Sequence, residues 1–147
     1  MTASYETGER YLRGREVLAS MNNDPDGLAF WRDVDPDVGP ELDRLLGEHC
    51  FGDIWAGDGL DKRTRRIIVI TTLANQNRMV QLHGHVKSAL QQGFTKREIL
   101  EIFRQLIAYA GFPTALSSVE VARNAFAEFD AETAAAETAA AEAAVQP

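Results

Sequence analysis

The chain predicts an all-α protein of six or seven helices. Apolar residues recur at helical spacing from Tyr11 to Phe126, and Gly, Pro and capping residues interrupt them at helix-length intervals. The single stretch with strand-like propensity has no evident partner strand. The first helix is expected over residues 5–20, with Tyr11, Leu12 and Leu18 set among charges. Residues 22–40 are rich in Asp, Pro and Gly and read as a loop, with one short helix around 28–31. Pro40 suits a first helical position, and Leu42, Leu45, Leu46, His49 and Cys50 follow at i, i+3, i+4, i+7 and i+8. Gly52, Gly57 and Gly59 are then expected to loosen the chain around Ile54 and Trp55.

Asp61 can cap a helix running from Lys62 to about Asn75. Its centre, residues 67–70, is β-branched, but the capped start and basic flank favour a buried helix over a strand. The next helix spans 77–92 and stops at Gly93. Thr95 and Glu98 have the spacing of a capping box, which opens a helix with Ile99, Ile102, Phe103, Leu106 and Ile107 on one face. Gly111 ends it, and Pro113 starts a last helix with Leu116, Val119, Ala122 and Phe126 turned inward. Residues 1–129 thus form one domain. Residues 130–147 are an Ala/Glu repeat of five-residue period with no apolar stripe, expected to be frayed or disordered.

A chain of 147 residues with 45% apolar content is large enough for a real core. Its net charge of −7 includes four acids in the 130–147 segment, leaving the body near −3. No basic block is present, which argues against nucleic acid as a partner. Cys50 is the only cysteine, so an intrachain disulfide and a paired-thiol motif are excluded. The first residues lack an apolar signal core, and no run approaches the ~20 apolar residues of a membrane span. A cytoplasmic location without membrane association is expected.

The best constellation for chemistry lies on one helix. Arg78, Gln81 and His85 recur at i, i+3 and i+7 and share a face, whereas His83 points about 200° away from His85. His49, His83 and His85 have no i, i+4 pair and no acid at ligand spacing, so no metal site is expected. Neither a nucleophile elbow nor a phosphate-binding glycine loop occurs. Arg65 and Arg66 open a helix, where cations oppose the dipole; solvation is the commoner explanation of such a placement, and a task at a site is the alternative. The aromatic residues Phe51 and Trp55 suit a core, and Tyr109 beside Gly111 suits either core or pocket.

Taken in order, these residues resemble the carboxymuconolactone decarboxylase family. The resemblance covers roughly residues 8–129. It rests on Gly52-Asp-Ile-Trp55, Gly59-Leu60, Arg63-Thr-Arg65, Arg78, His85, Gly93, the capped acidic helix and Tyr109-Ala-Gly-Phe-Pro113, with His49 also at a family position. The family's redox branch, similar to alkylhydroperoxidase D, carries Cys-x-x-Cys before the histidine and a glutamate on the preceding helix. Here those positions hold Arg78, Gln81 and Arg66, so thiol peroxidase chemistry is excluded. Where the lactone-cleaving enzymes usually have an acidic run, this chain has Met79-Val80-Gln81.

The resemblance implies a homo-oligomer, trimer or hexamer, and a cofactor-independent, metal-free carboxy-lyase acting on a small carboxylated lactone or vinylogous keto acid. It implies His85 and Gln81 as catalytic groups. Arg65, Arg78, Trp55, His49 and Tyr109 would bind the substrate. Two alternatives remain: a biosynthetic tailoring enzyme with a larger, more apolar substrate, and a non-catalytic oligomeric binding protein.

Overall fold

The computed structural model describes residues 8–145, and among them no strand occurs. The helices are α1 (Glu9–Ala19), α2 (Ala29–Arg32), α3 (Gly39–Arg44), a π-helix (Leu45–Trp55) that continues α3, α4 (Lys62–Asn75), α5 (Met79–Gln91) and α6 (Lys96–Val145). The part of the expected first helix before Gly8 lies outside the described residues. The chain divides into two compact units, the first ending at Arg65 and the second beginning at Arg66.

In the first unit, α1 packs on the π-helix, and Tyr11, Val17, Leu18, Met21 and Trp55 are buried. Gly52 does not loosen the chain as expected: it lies inside the π-helix and is buried. The i→i+5 repeat explains why. It brings Gly47 and Gly52 close to one face, where α geometry would set them about 140° apart. Both then face α1 directly, with Gly47 against the Tyr11 ring and Gly52 against the Arg10 carbonyl. Beneath them the Tyr11 hydroxyl donates to the fully buried Asp43 carboxylate at 2.9 Å. Burial, then that carboxylate, pushes the Tyr11 phenol up to about 12.

The second unit's core is built from Ile70 and Ala74 of α4, Leu82, Val86, Ala89 and Leu90 of α5, Phe94, and Ile99, Phe103, Leu106, Ala122 and Ala125 of α6. α5 and α6 form the expected hairpin about Gly93. Gly93 sits at φ +90°, and the Phe94 amide reaches back to the Ala89 carbonyl at 2.9 Å. This helix stop needs a left-handed residue. Asn22 and Asn77, at φ +56° and +57°, end α1 and α4 in the same way. Asp61 caps the start of α4, its Oδ1 accepting from the Thr64 amide at 2.8 Å. The capping box is present: the Thr95 amide donates to Glu98 at 2.7 Å, and the Glu98 amide donates to the Thr95 hydroxyl at 3.1 Å.

Gly111, at φ +84° and ψ +165°, breaks α6 just before Pro113. Past that break the inward stripe is as expected at Ala122, and Phe126 is partly buried against the core, but it differs at the other two positions. Ala115, Ser118, Ala122 and Ala125 are buried, while Leu116 is 61% exposed and Val119 is also exposed.

The helix continues through the Ala/Glu repeat, and residues 131–144 are all exposed. Lys87 pairs with Glu128 and with Glu132 at 2.8 Å, and Lys96 pairs with Asp130 at 2.6 Å. Only the Glu132 pair lies beyond Asp130, and solvent-facing pairs contribute roughly 0–1 kcal/mol. Truncation after Asp130 is therefore expected to lower the melting temperature by no more than about 2–4 °C. A larger drop by circular dichroism would mean that the tail packs.

Candidate active site

The chemistry-bearing cluster of the second unit forms where α4 meets α5. Arg66, Ile70 and Ala74 are the buried residues of α4, a stripe at i, i+4 and i+8. The stripe that anchors the helix thus begins with a guanidinium, and Arg66 is only 1% exposed. Its Nη1 donates to His85 Nδ1 at 2.7 Å, and its Nε donates to Gln92 Oε1 at 3.1 Å. His85 belongs to α5, and Gln92 is the residue at that helix's C-terminal cap. A buried charge needs hydrogen-bonding partners, and two come from this one helix.

Burial lowers the Arg66 guanidinium to about 10, still fully charged at neutral pH. Burial, then the charge of Arg66, lowers the His85 imidazole to about 4. The ring is therefore neutral under physiological conditions. The site holds a permanent cation and a neutral imidazole.

The low value makes a stability prediction. An unfolded histidine binds its proton near pH 6.5, whereas the folded one resists protonation down to about 4. Between these values the unfolded chain binds more protons, so stability falls as pH drops from 6.5 to 4 and levels off below. At about 1.4 kcal/mol per unit the loss is at most roughly 3 kcal/mol, and less where solvent reaches the ring. Denaturation across this window should show a steeper slope in the native protein than in His85→Gln, where carboxylates alone contribute. Equal slopes would refute the assignment.

The other sequence-predicted residues are placed as follows. Gln81 precedes His85 by one turn on α5 and is exposed; Arg78, the residue before α5, is also exposed. Tyr109 lies in the second unit at 82% exposure. His83 points away from His85, its Nε2 lying 3.2 Å from Glu128 on α6. Met79, Val80 and His83 line a small cleft of about 340 Å³ with Val121 and Asn124, which does not include His85.

Trp55, His49 and Arg65 belong to the first unit. Trp55 is buried, stacked obliquely near Phe51, and borders an open cleft of about 760 Å³ with Arg13, Leu60, Lys62 and Arg63. His49 is exposed, 3.8 Å from Asp53. Arg65 donates to the Gly57 carbonyl at 2.9 Å and to the Leu60 carbonyl at 3.1 Å, which ties down the loop before α4. Arg66 was not among the predicted site residues. The signal for it is its spacing from Ile70 and Ala74, which continues the inward stripe of α4 by one more turn.

The sequence pattern of the carboxymuconolactone decarboxylase family matches residues 40–124, more than half the chain and all of Arg66, His85 and Gln92. The chain belongs to that family. It is similar to a 4-carboxymuconolactone decarboxylase of Acinetobacter baylyi, 24% identical over 118 residues, covering 80% of this chain and 87% of that protein. An uncharacterized 15.0 kDa protein in the nqo9–nqo10 intergenic region of Paracoccus denitrificans is 36% identical over 95 residues, 63% of this chain and 71% of that protein. A nitrosuccinic acid decarboxylase of Metarhizium robertsii is 27% identical over 77 residues, 52% of this chain and 54% of that protein. Among the described residues no helix is long and apolar enough to cross a membrane, and no group of three or more His, Cys, Asp or Glu side chains is placed to hold a metal ion.

Proposed function

We propose that this family member is a cofactor-independent decarboxylase of a small acid that carries its own electron sink, with a 4-carboxymuconolactone-like lactone as the favoured substrate. The observation that carries the reading is the neutral His85 held by buried Arg66, inside the region that matches the family. In such a lactone the bond to the carboxylate breaks, carbon dioxide leaves, and the electron pair delocalises through the alkene into the lactone carbonyl. An enolate forms, and its carbon then takes up a proton. No imine or pyridoxal is needed, because the substrate accepts the electrons itself.

The site has three tasks. It orients the departing carboxylate perpendicular to the π-system, keeps water away, and stabilises charge growing on the enolate oxygen. His85, neutral at working pH, serves as a hydrogen-bond donor to that oxygen, and the nearby guanidinium adds a fixed positive potential. A neutral imidazole is a weak acid, so the carbon proton comes from solvent. Arg78 anchors a remaining carboxylate, and Gln81 and Tyr109 hydrogen-bond the carbonyl.

The relative named for nitrosuccinic acid favours a second reading of the substrate. A nitro group beside a departing carboxylate also receives the electron pair, as a nitronate. The same donor-and-cation pair would stabilise either anion. Recombinant protein offered each acid in turn, with carbon dioxide release and ultraviolet loss of substrate followed, decides between them. No turnover of either acid would overturn the decarboxylase reading.

We further infer a homo-oligomer, trimer or hexamer. Tyr109, Phe112 and Leu116 follow one another along α6 with more than half of each side chain exposed, a band of apolar surface that association would cover. Light scattering should give three or more copies at micromolar concentration; a stable monomer would refute this.

A further inference from the structure

We propose that Arg66 and Gln92 are positioning residues that lock His85 in the tautomer with its proton on Nε2, so that the ring meets its ligand as a donor. A guanidinium has five N–H donors and no acceptor. Its 2.7 Å contact with Nδ1 therefore requires Nδ1 to be the acceptor. A neutral imidazole carries one proton, which must then sit on Nε2. Free histidine exchanges between two tautomers, and the Arg66 contact selects one.

Gln92 fixes the selector. Its Oε1 accepts from Arg66 Nε at 3.1 Å, so the guanidinium is gripped at two points by α5, at His85 and one helix end away. These two bonds hold the planar fork in place and aim Nη1 at the imidazole. Lysine at 66 would offer all its N–H groups from one nitrogen and would lack the planar fork that reaches both acceptors. Nothing in this chain of contacts depends on the substrate's identity. Only the activity measurement below rests on the proposed decarboxylase reading.

The test is nitrogen-15 spectroscopy of the ligand-free protein near pH 7, with the His85 ring signals identified by their loss in His85→Gln. Native protein should show protonated Nε2 and unprotonated Nδ1. Arg66→Glu replaces the donor with a carboxylate, which accepts from Nδ1–H and should reverse the assignment. Gln92→Leu, a milder change at a half-buried helix end, should let the Nδ1–H form appear alongside the first. A native ring that is Nδ1–H or evenly mixed overturns the proposal. So does an unchanged ring in Arg66→Glu, or in Gln92→Leu where Arg66→Glu does not fold. In turnover of 4-carboxymuconolactone, Arg66→Glu should lose about 10²–10³-fold in kcat, the cost of removing one oxyanion donor. Gln92→Leu should lose roughly 10-fold, in the range of supporting-shell changes. Should native protein not turn over that acid while the ring signals behave as described, the lock stands and the substrate reading falls.

Discussion

His85→Ala is expected to lower decarboxylase turnover by about 10²–10³-fold while the helical content stays native. That is the loss measured when a single preorganised donor to a developing oxyanion is deleted. The effect should fall on kcat, since the donor acts most strongly on charge that exists only in the transition state. His83→Ala is the internal control. The two residues are two positions apart on α5, yet His83 faces Glu128 and His85 faces Arg66. Losing a part-exposed His83–Glu128 contact should change turnover no more than a few-fold, as such pairs contribute ~1 kcal/mol or less. The profile of kcat against pH should also lack a histidine step near 6.5, because His85 titrates at about 4. Equal loss in both variants would mean that the face assignment is wrong. Full activity of His85→Ala would remove the imidazole from the mechanism.

The helix frame was legible because its signals are local. Asp61, Thr95 with Glu98, Gly93 and Gly111 each act on backbone within a few residues, and each does in the structure what its spacing implies. The opposed faces of His83 and His85 were legible for the same reason, since 100° per residue is enough to separate them. What was not legible depends on partners distant in sequence. Arg66 read as a cation opposing a helix dipole, yet it is buried because α5 supplies His85 and Gln92, 19 and 26 residues later. Gly47 and Gly52 read as ordinary helix and breaker. Their meaning came from α1, more than thirty residues earlier, which rests on them. Leu116 and Val119 read as core because large apolar residues usually are. The structure instead turns Ala115 and Ser118 inward, the small residues one position earlier on the same helix.

Gly14→Ala is expected to be strongly destabilising. Gly14 is buried in α1, and a Cβ built there would lie 2.1 Å from the Gly47 carbonyl oxygen and 3.1 Å from the Gly52 nitrogen. Both neighbours are backbone of the π-helix, so no flexible side chain can swing aside. The two helices would have to separate by more than an ångström. That would strip the Gly47 contact from the Tyr11 ring and disturb the Tyr11–Asp43 bond below it. Overpacking of this kind typically costs about 1–3 kcal/mol, and a clash with fixed backbone belongs at the upper end. Helix propensity works the other way, favouring Ala by about 1 kcal/mol, and is too small to compensate. Gly84→Ala isolates that opposing effect: Gly84 is inside α5 with nothing within 4 Å of a built Cβ. It should gain roughly 1 kcal/mol and raise the melting temperature by about 2–4 °C. Gly14→Ala, at a net loss of about 2 kcal/mol, should lower it by roughly 4–8 °C. Thermal denaturation followed by circular dichroism reads both. A Gly14→Ala protein melting within a degree or two of the native one would mean that α1 does not rest on the π-helix backbone as described.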